Sequence, residues 1–147
     1  MNTPISTLLE HKGSIVRTVP ATFTVTETVR EMNRHKIGSV LVMDGDQIAG
    51  IFTERDVLTR VVVGDFDPKT TPVTRVMTAQ PMTVGPEATV QTVMDLFTEK
   101  HFRHLPVVKD GRLLGVISIG DVTRWVANAH RVEAEHLRQY VAGGLSS

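Results

Sequence analysis

Apolar and polar positions alternate in two modes along this chain, and the modes follow each other in a fixed order. Val25, Val29 and Met32 recur at i, i+4 and i+7, the spacing of a helix with one buried face. Thr24 stands before them with Glu27 three residues on, the pattern of a capping box. Next come two β-rich runs, Ser39–Met43 and Gln47–Phe52, around Asp44-Gly45-Asp46, which predicts a hairpin. Thr53-Glu54-Arg55-Asp56 then opens another helix, with Val57, Leu58 and Val61 as its apolar residues. With the short β-type run Ser14–Val19 in front, the order is β-α-β-β-α.

The same order returns. Met82–Val84 is the leading strand, and Val90, Val93, Met94 and Phe97 mark the helix. Leu105–Val108 and Arg112–Ile117 flank the turn Lys109-Asp110-Gly111, and a last helix starts near Ser118 and runs to about Val141. Residues 24–62 and 89–127 align without a gap at a separation of 65: Thr24 meets Thr89, Val42 meets Val107, Gly50 meets Gly115 and Asp56 meets Asp121. Such a unit cannot bury its apolar face alone, so two copies are expected to stack and leave a cleft, a common place for a small ligand. Thr3-Pro4 and Thr71-Pro72 each suggest a threonine N-cap with proline at the first helical position, so a short helix is expected before each copy. Residues 64–72 form a turn-rich linker. The expected division is 1–65, 66–127 and a helical extension 128–147, whose part from Arg131 to Tyr140 is mostly charged and solvated or partner-facing.

Composition narrows the function classes. Of 147 residues, 41% are hydrophobic and 22% charged, as in a soluble globular domain. Sixteen basic residues balance sixteen acidic ones, so no global charge draws the chain to nucleic acid or an anionic membrane. The absence of cysteine excludes disulfides, thiolate metal sites and a cysteine nucleophile. No apolar run approaches a membrane span and no signal peptide is visible, so a cytoplasmic protein is expected. Six histidines lack the spacing of a metal pair: His101 and His104 straddle a helix-to-strand junction, and His130 and His136 are six apart. No metal site and no nucleophile–base set is expected.

The candidate chemistry lies after each repeated glycine. Thr53-Glu54-Arg55-Asp56 and Ser118-Ile119-Gly120-Asp121 each place a hydroxyl at a strand-to-helix junction and a carboxylate three residues later. This pattern caps a helix. It also suits a carboxylate that accepts two hydrogen bonds from the paired hydroxyls of a ribose, with Arg55 and Arg103 as candidate phosphate partners.

These elements resemble the cystathionine-β-synthase (CBS) domain, present as a stand-alone tandem pair. The matching pieces are Thr24-Val25, Ile37–Asp44 and Gly50–Asp56, then Thr89-Val90, Phe102–Val108 and Gly115–Asp121. The resemblance covers about Ile5 to Val126. It implies an α/β (α+β) fold of two β-α-β-β-α repeats packed with pseudo-two-fold symmetry, and a homodimer. It also implies inter-repeat clefts that bind an adenosine-containing ligand: AMP, ADP, ATP, NAD or S-adenosylmethionine. By position, Asp56 and Asp121 would hold ribose hydroxyls, with Thr53 and Ser118 beside them. Met77, Met82, Phe102 and Arg103 would complete the cleft of Asp56, and Lys12, Arg17, Ile37 and Gly38 that of Asp121. Arg55, His104, Val116 and Gly120 complete the implied ligand set. The copies differ, Gly38-Ser39 against Arg103-His104 and Glu54-Arg55 against Ile119-Gly120, so unequal phosphate affinity is expected. The implied function is a regulatory sensor of adenine nucleotide that signals to an unidentified protein partner, with no catalytic cofactor, no nucleic acid and no membrane. The alternatives are a purely structural dimerisation module and a nucleotide-processing enzyme.

Overall fold

The computed structural model describes residues 2–13 and 16–146, with side chains through Val141. Its elements are α1 (Ile5–Lys12), β1 (Thr18–Pro20), α2 (Val25–Arg34), β2 (Ser39–Asp44), β3 (Gln47–Thr53) and α3 (Glu54–Asp56). A π-helical stretch, Val57–Val62, continues α3. After a 3-10 turn at Val73–Arg75 come β4 (Thr78–Ala79), α4 (Val90–Lys100), β5 (His104–Lys109), β6 (Arg112–Ser118) and α5 (Ile119–Ser146). Two compact units result. One runs through Thr83 and holds the first repeat; the other joins α1 to everything from Val84 onward and holds the second.

In the first-repeat unit a four-stranded sheet has the order β1-β2-β3-β4. β1 is parallel to β2, with Val19 opposite Val42, and the β2–β3 hairpin sets Val40 opposite Phe52. These inward residues close a core with Val25, Met32 and Val61. The α2 capping box forms: the Glu27 amide donates to Thr24 Oγ1 (3.2 Å) and the Thr24 amide to Glu27 Oε1 (3.0 Å). Thr28 is fully buried, and its hydroxyl donates to the Thr24 carbonyl at 2.8 Å, which removes the cost of an unpaired polar group. Ser14 and Ile15, the start of the expected first strand, lie outside the described residues.

The second-repeat unit repeats this register 65 residues on. Leu105 faces Ile117 as Val40 faces Phe52, and the irregularity at Val42/Met43 recurs at Val107/Val108. The expected strand Met82–Val84 shrinks to one parallel bridge, Val84 to Val107. Pro81 and Pro86 flank it, and neither has an amide to extend a ladder.

Several expectations are corrected. Pro4, not Thr3, is the cap residue of α1, and no side chain caps it. The first amides of α1 bond instead to the 86–88 loop, Ile5 to the Ala88 carbonyl (2.7 Å) and Ser6 to the Pro86 carbonyl (2.9 Å). Ile5 and Leu8 are thereby buried with Val90, Val93 and Phe97. So α1 precedes the first repeat in sequence but packs on the second. The segment preceding the second repeat does the converse: Val73 and Val76 fill the first-repeat core. The Thr3 carbonyl accepts from Val90 N–H and the Thr71 carbonyl from Val25 N–H, each at 2.9 Å. The compact units therefore cut across the expected boundary at residue 65.

This exchange explains the repeated glycines. A Cβ on Gly50 would lie 2.5 Å from Met77 Sδ and 2.6 Å from the Thr78 carbonyl oxygen; one on Gly115 would lie 2.7 Å from Leu9 Cδ2. Hairpin geometry accounts for Gly45 and Gly111, which have φ of +61° and +75°, but not for these two. After α3 the wider π turn points Val61 inward, while Leu58, expected as an apolar contact, is 65% exposed. Gly143 and Gly144 do not end α5.

Candidate functional site

Each hairpin delivers its second strand into a helix start, and there the two carboxylates sit. In the first-repeat unit the Thr53 amide donates to Asp56 Oδ2 at 2.9 Å and the Thr53 hydroxyl at 3.2 Å, while the Asp56 amide donates back to Thr53 Oγ1 at 3.3 Å. In the second-repeat unit the Ser118 amide donates to Asp121 Oδ2 at 2.9 Å and the Asp121 amide to Ser118 Oγ at 3.1 Å. Both carboxylates are thus oriented by the amides they cap. The junctions are pinned alike, with Glu54 N–H donating to the Gly38 carbonyl (3.0 Å) and Ile119 N–H to the Arg103 carbonyl (2.9 Å).

The cations around them differ. Asp56 has Arg60, with Nε 3.6 Å from Oδ1, and Arg60 Nη1 donates to the Met77 carbonyl at 2.6 Å. Asp121 has two. Lys12 Nζ lies 2.7 Å from Oδ2 and also donates to the Val116 carbonyl at 2.7 Å, while Arg124 Nη2 donates to Oδ1 at 2.6 Å. Burial opposes ionisation of Asp121, but the Lys12 hydrogen bond, the Ser118 amide and the Lys12 charge outweigh it. They hold the carboxyl below its ordinary value of 3.8 because each favours the charged form.

The remaining expected residues divide by unit. Gly38 adjoins the Asp56 cluster: a Cβ there would lie 3.3 Å from the Glu54 carboxyl. Arg55 is exposed, and it is Arg60 that reaches the carboxylate. Arg17 is exposed, its carbonyl accepting from Leu41 N–H, and Ile37 packs on the first-repeat core. Met77 packs on that core as well, and Met82 is 44% exposed. In the second-repeat unit Phe102 meets Phe97 edge-on at 6.1 Å, Arg103 is exposed, and His104 pairs with Ser118 across the hairpin. Gly120 lies beside Arg124 and Ser118, with room for a Cβ at ordinary contact distance. Sequence reasoning missed both Arg60 and Arg124 as partners of the aspartates. The available signal was their spacing, four and three residues beyond each aspartate on a helix.

Among the described residues, no group of three His, Asp, Glu or Cys side chains is placed to hold a metal. No described helix is long and apolar enough to cross a membrane.

Two hairpin-and-helix units, each with a capped carboxylate at the strand-to-helix junction, define a duplicated α/β module. The sequence profile of the CBS domain matches residues 13–63 and 73–128, and this chain belongs to that family, with two copies in tandem. It is 42% identical over 126 residues to the CBS domain-containing protein CBSX3, mitochondrial, of Arabidopsis thaliana, covering 82% of this chain and 61% of that protein. The chain therefore spans less than two thirds of that relative's length. A CBS-domain protein from Burkholderia ambifaria MC40-6 superposes with a TM-score of 0.81 at 39% identity, over 84% of this chain and 93% of that one. The hexameric CBS-CP12 protein from bloom-forming cyanobacteria superposes with a TM-score of 0.74 at 30% identity, over 84% of this chain and 67% of that one.

Proposed function

We propose that the chain is a regulatory sensor in which Asp56 and Asp121 each hold the ribose of an adenosine-containing ligand: AMP, ADP, ATP, NAD or S-adenosylmethionine. The observation that carries this reading is the recurrence, 65 residues apart, of a carboxylate whose side chain is largely buried and is oriented by the hydroxyl and amide of Thr53 or Ser118. A carboxylate has about four acceptor positions, so capping a helix leaves room for a diol. Arg60, Lys12 and Arg124, which lie against the two carboxylates, would supply the positive charge for the ligand's phosphate. The protein performs no chemistry on the ligand. Binding shifts it between two conformations of different ligand affinity, and a protein partner reads the shift.

The proposal includes a homodimer. Each unit presents an apolar groove between its two helical segments. One, of about 510 Å³, is lined by Val25, Val29, Val57, Val61 and Phe66; the other, of about 400 Å³, is lined by Met94, Phe97, Ile119, Val122 and Val126. Leu58, Val62, Val63 and Ile119 are exposed around them, and a second copy would cover such patches. The hexameric cyanobacterial relative supports self-association.

Calorimetry with the five ligands tests the reading. At least one should bind, and Asp56→Ala and Asp121→Ala should each remove one class of site. Heat from none of them at millimolar concentration would refute the sensor. In that case sedimentation of the same preparation at the mass of a dimer would favour a purely structural role.

A further inference from the structure

The two carboxylates differ in the acceptor capacity left to a ligand. Asp56 Oδ2 takes both donors of Thr53, but among the described residues Oδ1 has only Arg60 Nε at 3.6 Å, beyond hydrogen-bond length. Asp121 carries a cation on each oxygen, Lys12 on Oδ2 beside the Ser118 amide and Arg124 on Oδ1. Lys12 is the last residue of α1 and spans from the Val116 carbonyl to the carboxylate. Its side chain is 38% exposed while that of Asp121 is 10% exposed, so the lysine is the more solvent-accessible member of the pair.

Resting on the nucleotide reading above, we propose that Lys12 is a gate that makes the Asp121 site selective for phosphorylated ligands, whereas the Asp56 site also accepts the uncharged nucleoside. A ribose diol that spans both oxygens of Asp121 must displace the ammonium from Oδ2, whose two acceptor positions are filled by Lys12 and the Ser118 amide. An uncharged nucleoside would replace a charge-assisted bond with a neutral hydroxyl and leave Nζ without an anion, which is an unfavourable exchange. A ligand bearing phosphate gives the displaced Nζ a new anionic partner, and the flexible four-carbon stem of lysine lets it swing there. At Asp56 no lysine must leave, and Oδ1 can receive a hydroxyl directly.

The test uses the full chain carrying Asp56→Asn, so that only the Asp121 site reports, titrated calorimetrically with adenosine and with ADP. ADP should bind at least about tenfold tighter, the worth of one charged hydrogen bond. Adding Lys12→Met should tighten adenosine, weaken ADP and close most of that gap. Lys12→Gln removes the charge but leaves a polar donor on a side chain one bond shorter, so it should move the ratio the same way. Equal binding of the two ligands with Lys12 present overturns the gate. So does a ratio that neither substitution moves, or an Asp56→Asn chain that binds neither ligand while the unsubstituted chain binds ADP. If the unsubstituted chain binds neither ligand, the nucleotide reading falls and the gate with it, a result distinct from all of these.

Discussion

The Asp56 and Asp121 clusters are built from one local design and finished differently. In both, a hydroxyl residue ends the strand, the carboxylate caps the next helical turn, and a backbone carbonyl 65 residues apart in the two copies pins the junction. What differs comes from outside the repeat. α1 packs against the second repeat and brings Lys12 onto Asp121, while the segment that packs against the first brings Met77, whose carbonyl holds Arg60. Duplicated motifs therefore need not be duplicated sites, because the charge around each is set by the segment docked on it.

The comparison can be broken most severely in the cores. Phe52 and Ile117 hold the same register position and both are fully buried. Phe52→Ala should destabilise by about 3–5 kcal/mol and Ile117→Ala by about 2–5 kcal/mol, read as a lower urea midpoint. Losses below ~1 kcal/mol would mean that these positions do not anchor their units.

A smaller contrast separates the glycines. The Cβ of Gly50→Ala would strike the Thr78 backbone carbonyl at 2.6 Å, whereas that of Gly115→Ala meets the movable end of Leu9. Overpacking against backbone should cost about 1–3 kcal/mol, and the Gly115 change less. Equal midpoints in urea would show that the β4 segment yields as readily as a leucine side chain.

The smallest effect lies in acid. Asp121 has a lowered pKa in the folded protein. Its ionisation therefore contributes stability that is complete above the ordinary value near 3.8 and is lost as pH falls through the lower folded value. Because Lys12 is partly exposed, Lys12→Met should cost under ~1 kcal/mol at pH 7. The gap from the unsubstituted chain should close below pH 3.8. A gap in urea stability that stays constant from pH 7 to pH 3 would show that Lys12 acts through packing of its stem, not through its charge.

Much of this was legible in the residues. The hairpins and the α2 capping box follow from alternation, turn residues and Thr24–Glu27, all of which act over a few residues. The duplication exposed the equivalence of Asp56 and Asp121. Illegible were the π turn that leaves Leu58 exposed, the reduction of Met82–Val84 to one bridge, and Arg60 as the partner of Asp56. Each depends on which surface a segment meets, and Arg60 is held by a carbonyl sixteen and more residues away.

By itself the sequence determined the repeating unit, its register and the capped carboxylate, because hydrophobic period and cap chemistry are local. Only the tertiary structure decided that the segments leading into the repeats exchange places, that Gly50 and Gly115 exist to admit them, and that Asp121 carries a lysine where Asp56 does not. Those outcomes depend on which core offers a matching cavity for Ile5 and Leu8 or for Val73 and Val76. Burial against a distant surface leaves no periodic mark in the chain.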